Sequence, residues 1–402
     1  MRIVVADEME LEPFHELSLL GVEVAYRPEL EADTLPAALD DAQVVVVRST
    51  PVTAAAIERS RQLSLIVSAG VEVSTIDLAA ASARGIYVAN CRGKHAAAVA
   101  ELVMALILSL DRQLVDATID LRAGRWNQQR YLGAPGIEGR RIGIAGLGAV
   151  GQRVLSCARA FGMTPHAWSR SLTPAQAARM GVGYCSSLEE LASHVDVLTI
   201  HLPLRRDTRL RIGREVLGAL PDGATFIHTA HPEILDYAAL REIAPRKRLR
   251  VGLDAYPEEP KIQLADFVEP AFRDAVVYGT PHVGGSTKRA ELAVAREACR
   301  IVRAFATEGE VPNAVNSCSN TPARFIVTVR MLDRVGVLAN ALNVIKRHGI
   351  NVEEITNTVF DGARAGCIKL RVSGRPTEAC LQEISAFDEV LHVEVFQLPN
   401  LA

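Results

Sequence analysis

The 402-residue chain carries 44 basic and 47 acidic residues, a formal net charge of −3, which gives no electrostatic reason to expect nucleic acid or an anionic membrane as a partner. Its length suffices for two or three domains, each with its own core. Its seven cysteines (Cys91, Cys157, Cys185, Cys299, Cys318, Cys367, Cys380) are odd in number and scattered without a CxxC pair, which reads as reduced thiols in a cytoplasmic protein and argues against a disulfide frame or a zinc site.

The opening Met1-Arg-Ile-Val-Val-Ala-Asp7 reads as a first β-strand that turns acidic by Asp7 and Glu8, unlike a signal peptide. Val22–Tyr26, Ala42–Arg48, Leu65–Ser68 and Ile86–Ala89 are also β-like and alternate with helical stretches. That rhythm predicts a parallel sheet covered by helices on both faces. The longest apolar run, Ala96 to Leu110, is interrupted by Glu101 and is too short to span a bilayer; it predicts one long buried helix from about Ala96 to Ala123. A second set of strands follows at Arg141–Ala145, Thr164–Trp168, Val195–His201, Thr225–Thr229 and Arg250–Asp254.

The first strand of this second set runs into Gly146, Gly148 and Gly151 and then into a helix predicted over Gln152–Phe161. One glycine permits the tight turn, another lets backbone approach a phosphate, and the third packs helix on strand, while the helix N-terminus attracts negative charge. Gly146, Gly148, Ala149, Val150 and Gly151 therefore form a candidate dinucleotide cradle. An acidic residue for the ribose hydroxyls is expected about twenty residues on, yet no carboxylate occurs from Leu147 to Leu188. The second strand ends in Ser169-Arg170-Ser171. A hydroxyl beside a guanidinium suits a 2′-phosphate, so the cofactor reads as NAD(P), with NADP favoured over NAD. Against that weight, 38 of the 44 basic residues are arginine.

After Pro281-His282 the helical stretch Lys288–Glu308 is placed to return to the first unit. The implied domains are a discontinuous substrate-binding domain (1–93 and 283–312) around a nucleotide-binding Rossmann domain (94–282), and clefts between such units bind small ligands. A polar, proline-bounded connector (313–324) leads to a tail at 325–400. There Phe325–Val329, Val337–Arg347, Asn351–Asn357, Gly366–Val372, Glu378–Ser385 and Val390–Phe396 read as βαββαβ, the split ferredoxin-like order. The fold class is thus α/β, with two doubly wound parallel-sheet domains, Rossmann and flavodoxin-like, and a C-terminal ferredoxin-like domain.

Several segments, in this order and spacing, resemble the D-2-hydroxyacid dehydrogenase family, in particular its phosphoglycerate dehydrogenase branch with a C-terminal ACT domain. They are Arg48-Ser-Thr50, Ala69-Gly-Val71, Asn90 through Glu101, Gly146 to Gly151, His201-Leu-Pro-Leu204, Leu253 to Pro260, Pro281 to Thr287 and Val311 to Asn316. The resemblance implies that His282 is the acid/base, a role that needs a group able to carry a proton near neutral pH. It implies that Glu259 orients that imidazole and favours its protonated form. It also implies that His201, Pro203, Thr208 and Asp254 line the dinucleotide site that the glycine turn, Ser169 and Arg170 form, and that Arg48, Gly70, Val71 and His231 face the substrate, with His231 a candidate catalytic residue beside His282 and Glu259.

Departures from the family pattern cluster around the substrate. Where the family carries a carboxylate-binding Arg followed by two small residues, this chain reads His231-Pro232-Glu233. An imidazole lacks the guanidinium fork and its permanent charge, and losing one donor aimed at the transition state can slow a reaction ~10²–10³-fold. Ser68 stands where Arg is frequent, and Glu72 where Gly is usual beside the anion-binding turn, a costly placement unless it faces away or is paired. In the ACT-like tail Met331 and Asp333 replace residues of serine-regulated relatives while Asn351 matches. The expected function is interconversion of a 2-hydroxy acid and its 2-oxo acid, of phosphoglycerate dehydrogenase type with an altered substrate site. The alternatives are a reductase of an unphosphorylated acid such as glyoxylate or hydroxypyruvate, or a non-catalytic nucleotide- or effector-binding sensor. The helix from Ala96 resembles the family's dimer-forming arm, which implies a homodimer or, through the tails, a homotetramer, and the tail implies an amino-acid effector.

Overall fold

Runs of β-branched residues too short to form helices become the strands of two all-parallel sheets in the computed structural model, which describes residues 1–260, 264–270, 272, 276–318 and 321–398. Parts of the expected nucleotide domain, connector and tail (261–263, 271, 273–275, 319–320 and 399–400) lie outside the described residues. The first sheet contains β1 (Arg2–Val5), β2 (Glu23–Tyr26), β3 (Val44–Val47), β4 (Leu65–Ser68) and β5 (Tyr87–Asn90) in the order β2-β1-β3-β4-β5. The second contains β6 (Arg141–Ala145), β7 (Thr164–Trp168), β8 (Gly183–Tyr184), β9 (Val197–Ile200), β10 (Thr225–His228), β11 (Arg250–Leu253) and β12 (Val276–Gly279), in the order β12-β11-β10-β9-β6-β7-β8. The chain reverses direction across this sheet between β6 and β9, the crevice where doubly wound folds hold ligands.

Strands buried on both faces need helices on both sides. The helix Lys288–Glu308 packs Val294, Ala298, Ile301 and Val302 against Ile3, Val44 and Leu65 of the first sheet, so the chain does return to it. The helix Ala96–Arg112 packs Val103, Ile107 and Leu110 against Ile142, Val197 and Ile227 of the second.

Three expectations need correction. The long helix predicted from Ala96 to Ala123 is two helices, Ala96–Arg112 and Leu114–Arg122, because Gln113 adopts φ 51°, ψ 42° and its amide closes the first helix on the Ser109 carbonyl. The break separates a buried stripe from a second helix whose Leu114, Val115, Ile119 and Leu121 are exposed. The helix expected from Gln152 begins at Ala149, inside the glycine turn. Strands β8 and β12 were not expected; β12 is an edge strand only four residues long that extends the ladder beside β11.

Ser317 onward forms a separate unit. Its strands β13 (Phe325–Leu332), β14 (Val352–Val359), β15 (Ala365–Val372) and β16 (Val390–Gln397) make an antiparallel sheet in the order β14-β15-β13-β16. The helices Val337–Arg347 and Glu378–Ser385 contribute Ala341, Val344, Ile345, Cys380 and Ile384 to its core with Val327, Val329, Ile368 and Leu370. The βαββαβ order is as expected.

One buried ionic knot ties the first unit together. Glu297, 6% exposed, accepts from Arg300 at 2.7 and 3.0 Å and from the Asn313 side chain at 2.8 Å, and it pairs with Lys94 at 3.1 Å. The Arg300 hydrogen bonds, against the cost of burial and aided by Lys94, hold its carboxyl at about 2. The Arg300 and Lys94 side chains left behind are 53% and 37% exposed, so water compensates them in part, and Glu297→Gln should lower the unfolding free energy near neutral pH by about 1–2 kcal/mol. A depressed carboxyl stabilises above its unfolded value and loses that contribution as it protonates. The wild-type advantage should therefore be complete above pH 4.5 and vanish toward pH 2, as read from urea unfolding of both proteins across that range.

Candidate active site

In a parallel sheet every strand ends on the same edge, so the loops after those ends form a rim on each sheet, and the candidate side chains lie on or just beyond these rims. The rim of the first sheet is organised by Asp7, just after β1, whose carboxylate accepts the Arg48 amide at 2.6 Å, the Ser49 amide at 3.2 Å and hydroxyl at 2.6 Å, and the Thr50 amide at 3.2 Å. This loop-setting role was not anticipated from the sequence. Its only signal is the acidic turn Asp7-Glu8 at the strand end.

The glycine turn after β6 is built for close approach. A Cβ on Gly151 would lie 1.9 Å from the Gly146 carbonyl oxygen, and one on Gly146 would lie 2.6 Å from the His201 carbonyl oxygen. Gly146 has φ +100°, a conformation that L side chains rarely adopt. Above Gly148, by contrast, nothing lies within 4 Å. Gly148 caps the helix Ala149–Ala160 without a side-chain hydrogen bond, so the cap leaves the amides of the first turn without a side-chain acceptor. Two glycines required by packing and one that keeps the approach clear fit a pyrophosphate at a helix N-terminus.

At the end of β12, His282 Nδ1 lies 2.7 Å from Glu259 Oε2, and the other oxygen of that carboxylate accepts the Tyr256 amide at 2.7 Å. The hydrogen bond to Glu259 outweighs burial and raises the His282 imidazole above its ordinary value. Burial alone would raise the Glu259 carboxyl, but the bonds from His282 and the Tyr256 amide, with His231 close enough to add to them, bring it below the usual carboxylate range. The pair thus favours imidazolium beside carboxylate, and Nδ1 is committed to Glu259, leaving Nε2 as the position that can exchange a proton. His282 itself has φ +52°. Asp254, 2% exposed, holds that turn: it accepts Thr280 Oγ1 at 2.6 Å, the Val283 amide at 2.9 Å and the Gly284 amide at 2.8 Å.

His231 follows β10 and is half-buried, with its Nδ1 shielded from solvent and without a partner among the described residues. Its neighbours Pro232 and Glu233 form a short 3₁₀ turn anchored by the Glu233–Arg209 ion pair at 2.7 Å and by the Leu210 amide on the Glu233 carbonyl at 2.8 Å. Behind it His228 is fully buried, stacked on Phe226 and edge-on to Tyr237. Burial pushes His228 down to about 4 and His201, bonded to Thr199 Oγ1 at 2.9 Å, to about 3, so both rings are neutral. Thr208 and Pro203 stabilise the loop after β9, the Thr208 hydroxyl meeting the Pro203 carbonyl at 2.6 Å and the Arg205 amide at 2.8 Å.

On the facing sheet, Gly70 and Val71 cap β4; their carbonyls accept the Cys91 amide at 2.8 Å and the Asn90 side chain at 2.7 Å. Glu72 is exposed, so the anticipated cost of burying it does not arise. The Arg48 guanidinium lies 3.8 Å from Glu291. His95 was missed by sequence reading. Its Nδ1 is 3.1 Å from the Gly285 carbonyl, so it joins the start of the helix Ala96–Arg112 to the His282 loop, and burial lowers it below the ordinary imidazole range, with Arg48 acting in the same direction. Ser169 and Arg170 follow β7, and Arg170 pairs with Asp207 at 3.3 Å. Among the described residues no cluster of His, Cys, Asp or Glu is arranged to hold a metal ion, and no helix is long and apolar enough to cross a membrane.

The chain is similar to proteins of one family. Residues 104–284 match the family model "D-isomer specific 2-hydroxyacid dehydrogenase, NAD binding domain". The chain is 34% identical over 328 residues to a D-3-phosphoglycerate dehydrogenase of Methanocaldococcus jannaschii, covering 80% of this chain and 60% of that one. It is 35% identical over 270 residues to a hydroxypyruvate reductase of Thermotoga maritima, covering 67% of this chain and 86% of that one. The chain thus spans about 60% of the length of the phosphoglycerate dehydrogenases it matches. Among solved structures it superposes on the TT0316 protein of Thermus thermophilus with a TM-score of 0.68 and 30% identity, covering 78% of this chain and all of that one. An NAD+-bound 3-phosphoglycerate dehydrogenase of Entamoeba histolytica gives a TM-score of 0.64 at 25% identity, covering 79% and 99%.

The imidazole of His282 owes its raised value chiefly to the Glu259 carboxylate, with Asp254 acting in the same direction. Replacing Glu259 by Gln should therefore bring the His282 titration, followed by NMR of the ring protons, down toward or below the ordinary histidine value. An unmoved titration would dissolve the pair as a functional unit.

Proposed function

The chain belongs to the D-isomer specific 2-hydroxyacid dehydrogenases, and on that basis we propose that it is an NAD(P)-dependent oxidoreductase interconverting a 2-hydroxy acid and its 2-oxo acid. The observation that carries this reading is the Glu259–His282 contact at 2.7 Å, on the same rim as a glycine turn open above Gly148. A proton-handling pair beside a dinucleotide cradle is what reduction of a ketone to an alcohol requires.

Gly146, Gly148, Ala149, Val150 and Gly151 would hold the pyrophosphate, Ser169 and Arg170 the ribose, and the rim from His201 through Pro203 and Thr208 to Asp254 the nicotinamide end. When bound, nicotinamide supplies or accepts the hydride. His282 holds a proton at Nε2 and delivers it to the substrate oxygen in the reductive direction, or removes it in the oxidative one. Glu259 keeps Nδ1–H oriented and stabilises the imidazolium between the two states. Arg48, with the Gly70–Val71 backbone, attracts the substrate's anionic groups, and His231 occupies the position from which the family's Arg would bind the carboxylate. Neutral His201 and His228 behind it add no positive charge, so less fixed charge faces the substrate than a guanidinium would supply. The phosphoglycerate dehydrogenase relatives support a phosphorylated substrate. The pairing of Arg48 with Glu291 and the Thermotoga relative support an unphosphorylated one such as hydroxypyruvate or glyoxylate.

In the proposed assembly the helix Leu114–Arg122, with Leu114, Val115, Ile119 and Leu121 exposed, is the dimer-forming arm. The βαββαβ tail serves as an ACT-type effector module, and the protein is cytoplasmic.

Mixing the purified protein with 3-phosphohydroxypyruvate, hydroxypyruvate or glyoxylate and NADH or NADPH should consume the reduced nicotinamide, followed by its absorbance. His282→Ala should reduce turnover by ~10²–10⁴-fold with cofactor affinity unchanged; equal turnover refutes the assignment. His231→Arg should lower kcat/KM for the protein's own substrate. Activity that arises only in that variant would mean that the wild-type chain binds nucleotide without turning over.

A further inference from the structure

Beside the glycine turn, at the end of β7, lies a cavity of about 360 Å³ whose polar lining is Gln152, Ser169, Ser171, Gln176 and Arg179. It contains no carboxylate. Leu147, Leu172 and Met180 supply its apolar wall. The polar groups are unevenly used. Gln176 spends its carbonyl oxygen on the Thr173 amide at 2.9 Å and hydroxyl at 3.2 Å, which leaves its NH₂ free to donate. Gln152 donates to the Leu147 carbonyl at 3.1 Å.

The arginines around this cavity divide sharply. Arg159 is tied to the Met180 and Gly181 carbonyls. Arg170 is drawn to Asp207 and does not line the cavity. Arg179, the penultimate residue of the helix Pro174–Met180, faces the cavity with no hydrogen-bond or ion-pair partner among the described residues. A guanidinium left free, two serine hydroxyls and a spare amide NH₂, with no carboxylate among them, make a lining whose only charge is positive. Ribose hydroxyls are normally taken by a carboxylate acceptor; a guanidinium without a carboxylate suits a phosphate ester.

We propose that Arg179 reads a phosphomonoester on the ribose of the bound dinucleotide, with Ser169 and Ser171 supplying the uncharged hydrogen bonds. The inference rests on the reading of the glycine turn as a dinucleotide site. It moves the main specificity determinant from Arg170, next to the strand end, to a helix nine residues further along.

The test is calorimetric titration of the full-length wild type, Arg179→Gln and Arg170→Gln with 2′,5′-ADP and with ADP, a readout that needs no turnover. The wild type should bind 2′,5′-ADP at least about tenfold more tightly than ADP. Arg179→Gln should lose most of that preference with ADP affinity unchanged, whereas Arg170→Gln should keep it. Arg179→Lys should retain part, because a point charge still attracts phosphate. A wild type that binds both nucleotides equally, or an Arg179→Gln variant that keeps the preference, overturns the inference and leaves the dinucleotide site standing. Failure of every variant and the wild type to bind either nucleotide overturns both.

Discussion

Parallel pairing throughout both sheets of the first unit is the constraint from which its chemistry follows. With every strand of a sheet pointing one way, the residues that leave strand ends gather on one edge of each sheet: Asp7 after β1, Arg48 after β3 and Gly70 after β4 on the first, and Gly146 after β6, His231 after β10, Asp254 after β11 and His282 after β12 on the second. The His95–Gly285 and Arg48–Glu291 contacts join segments that leave the two sheets. The long crossovers that parallel pairing demands are the helices whose apolar stripes bury the strands. The same topology therefore builds both the core and the rims.

On these rims, buried carboxylates organise backbone as much as they bind. Asp7 collects three consecutive amides and a hydroxyl at the Arg48 loop. Asp254 collects two amides and a hydroxyl at the His282 loop. In each case an anion takes up N–H groups that would otherwise be orphaned at a tight turn, and a functional side chain is aimed as a result. The Glu259–His282 contact is a further step of the same kind, since Glu259 uses one oxygen to fix its own loop through Tyr256 and the other to hold the imidazole.

Much of this was legible in the chain. The Val-rich runs, the glycine turn and the βαββαβ tail each carry a local signature, and the Glu259 and His282 motifs stand in recognisable surroundings. What escaped sequence reading was set by context. Gln113 breaks a run that is apolar up to Leu110 save for Glu101 and Ser109, because the backbone changes direction there, and no proline or glycine announces it. Strand β12 is four residues long and gains its place only from the partner ladder on β11. His95 joins two segments 190 residues apart in the chain, and nothing near it in sequence marks that meeting. Ser169 and Arg170 could be read as a ribose site because they adjoin a strand end, whereas the cavity that Arg179 lines exists only once the helix Pro174–Met180 is folded beside them.

The left-handed backbone at His282 sets stability and chemistry against each other at one position. A side chain held at positive φ costs roughly 1–2 kcal/mol relative to its relaxed form, and glycine is the residue that would relieve it. The exchange most favourable to the backbone is thus the one that deletes the imidazole. Schemes that raise thermal tolerance by relaxing left-handed residues would select against the proton-handling role proposed for this imidazole, and a drift toward higher melting temperature at this position would then register as silent loss of that role.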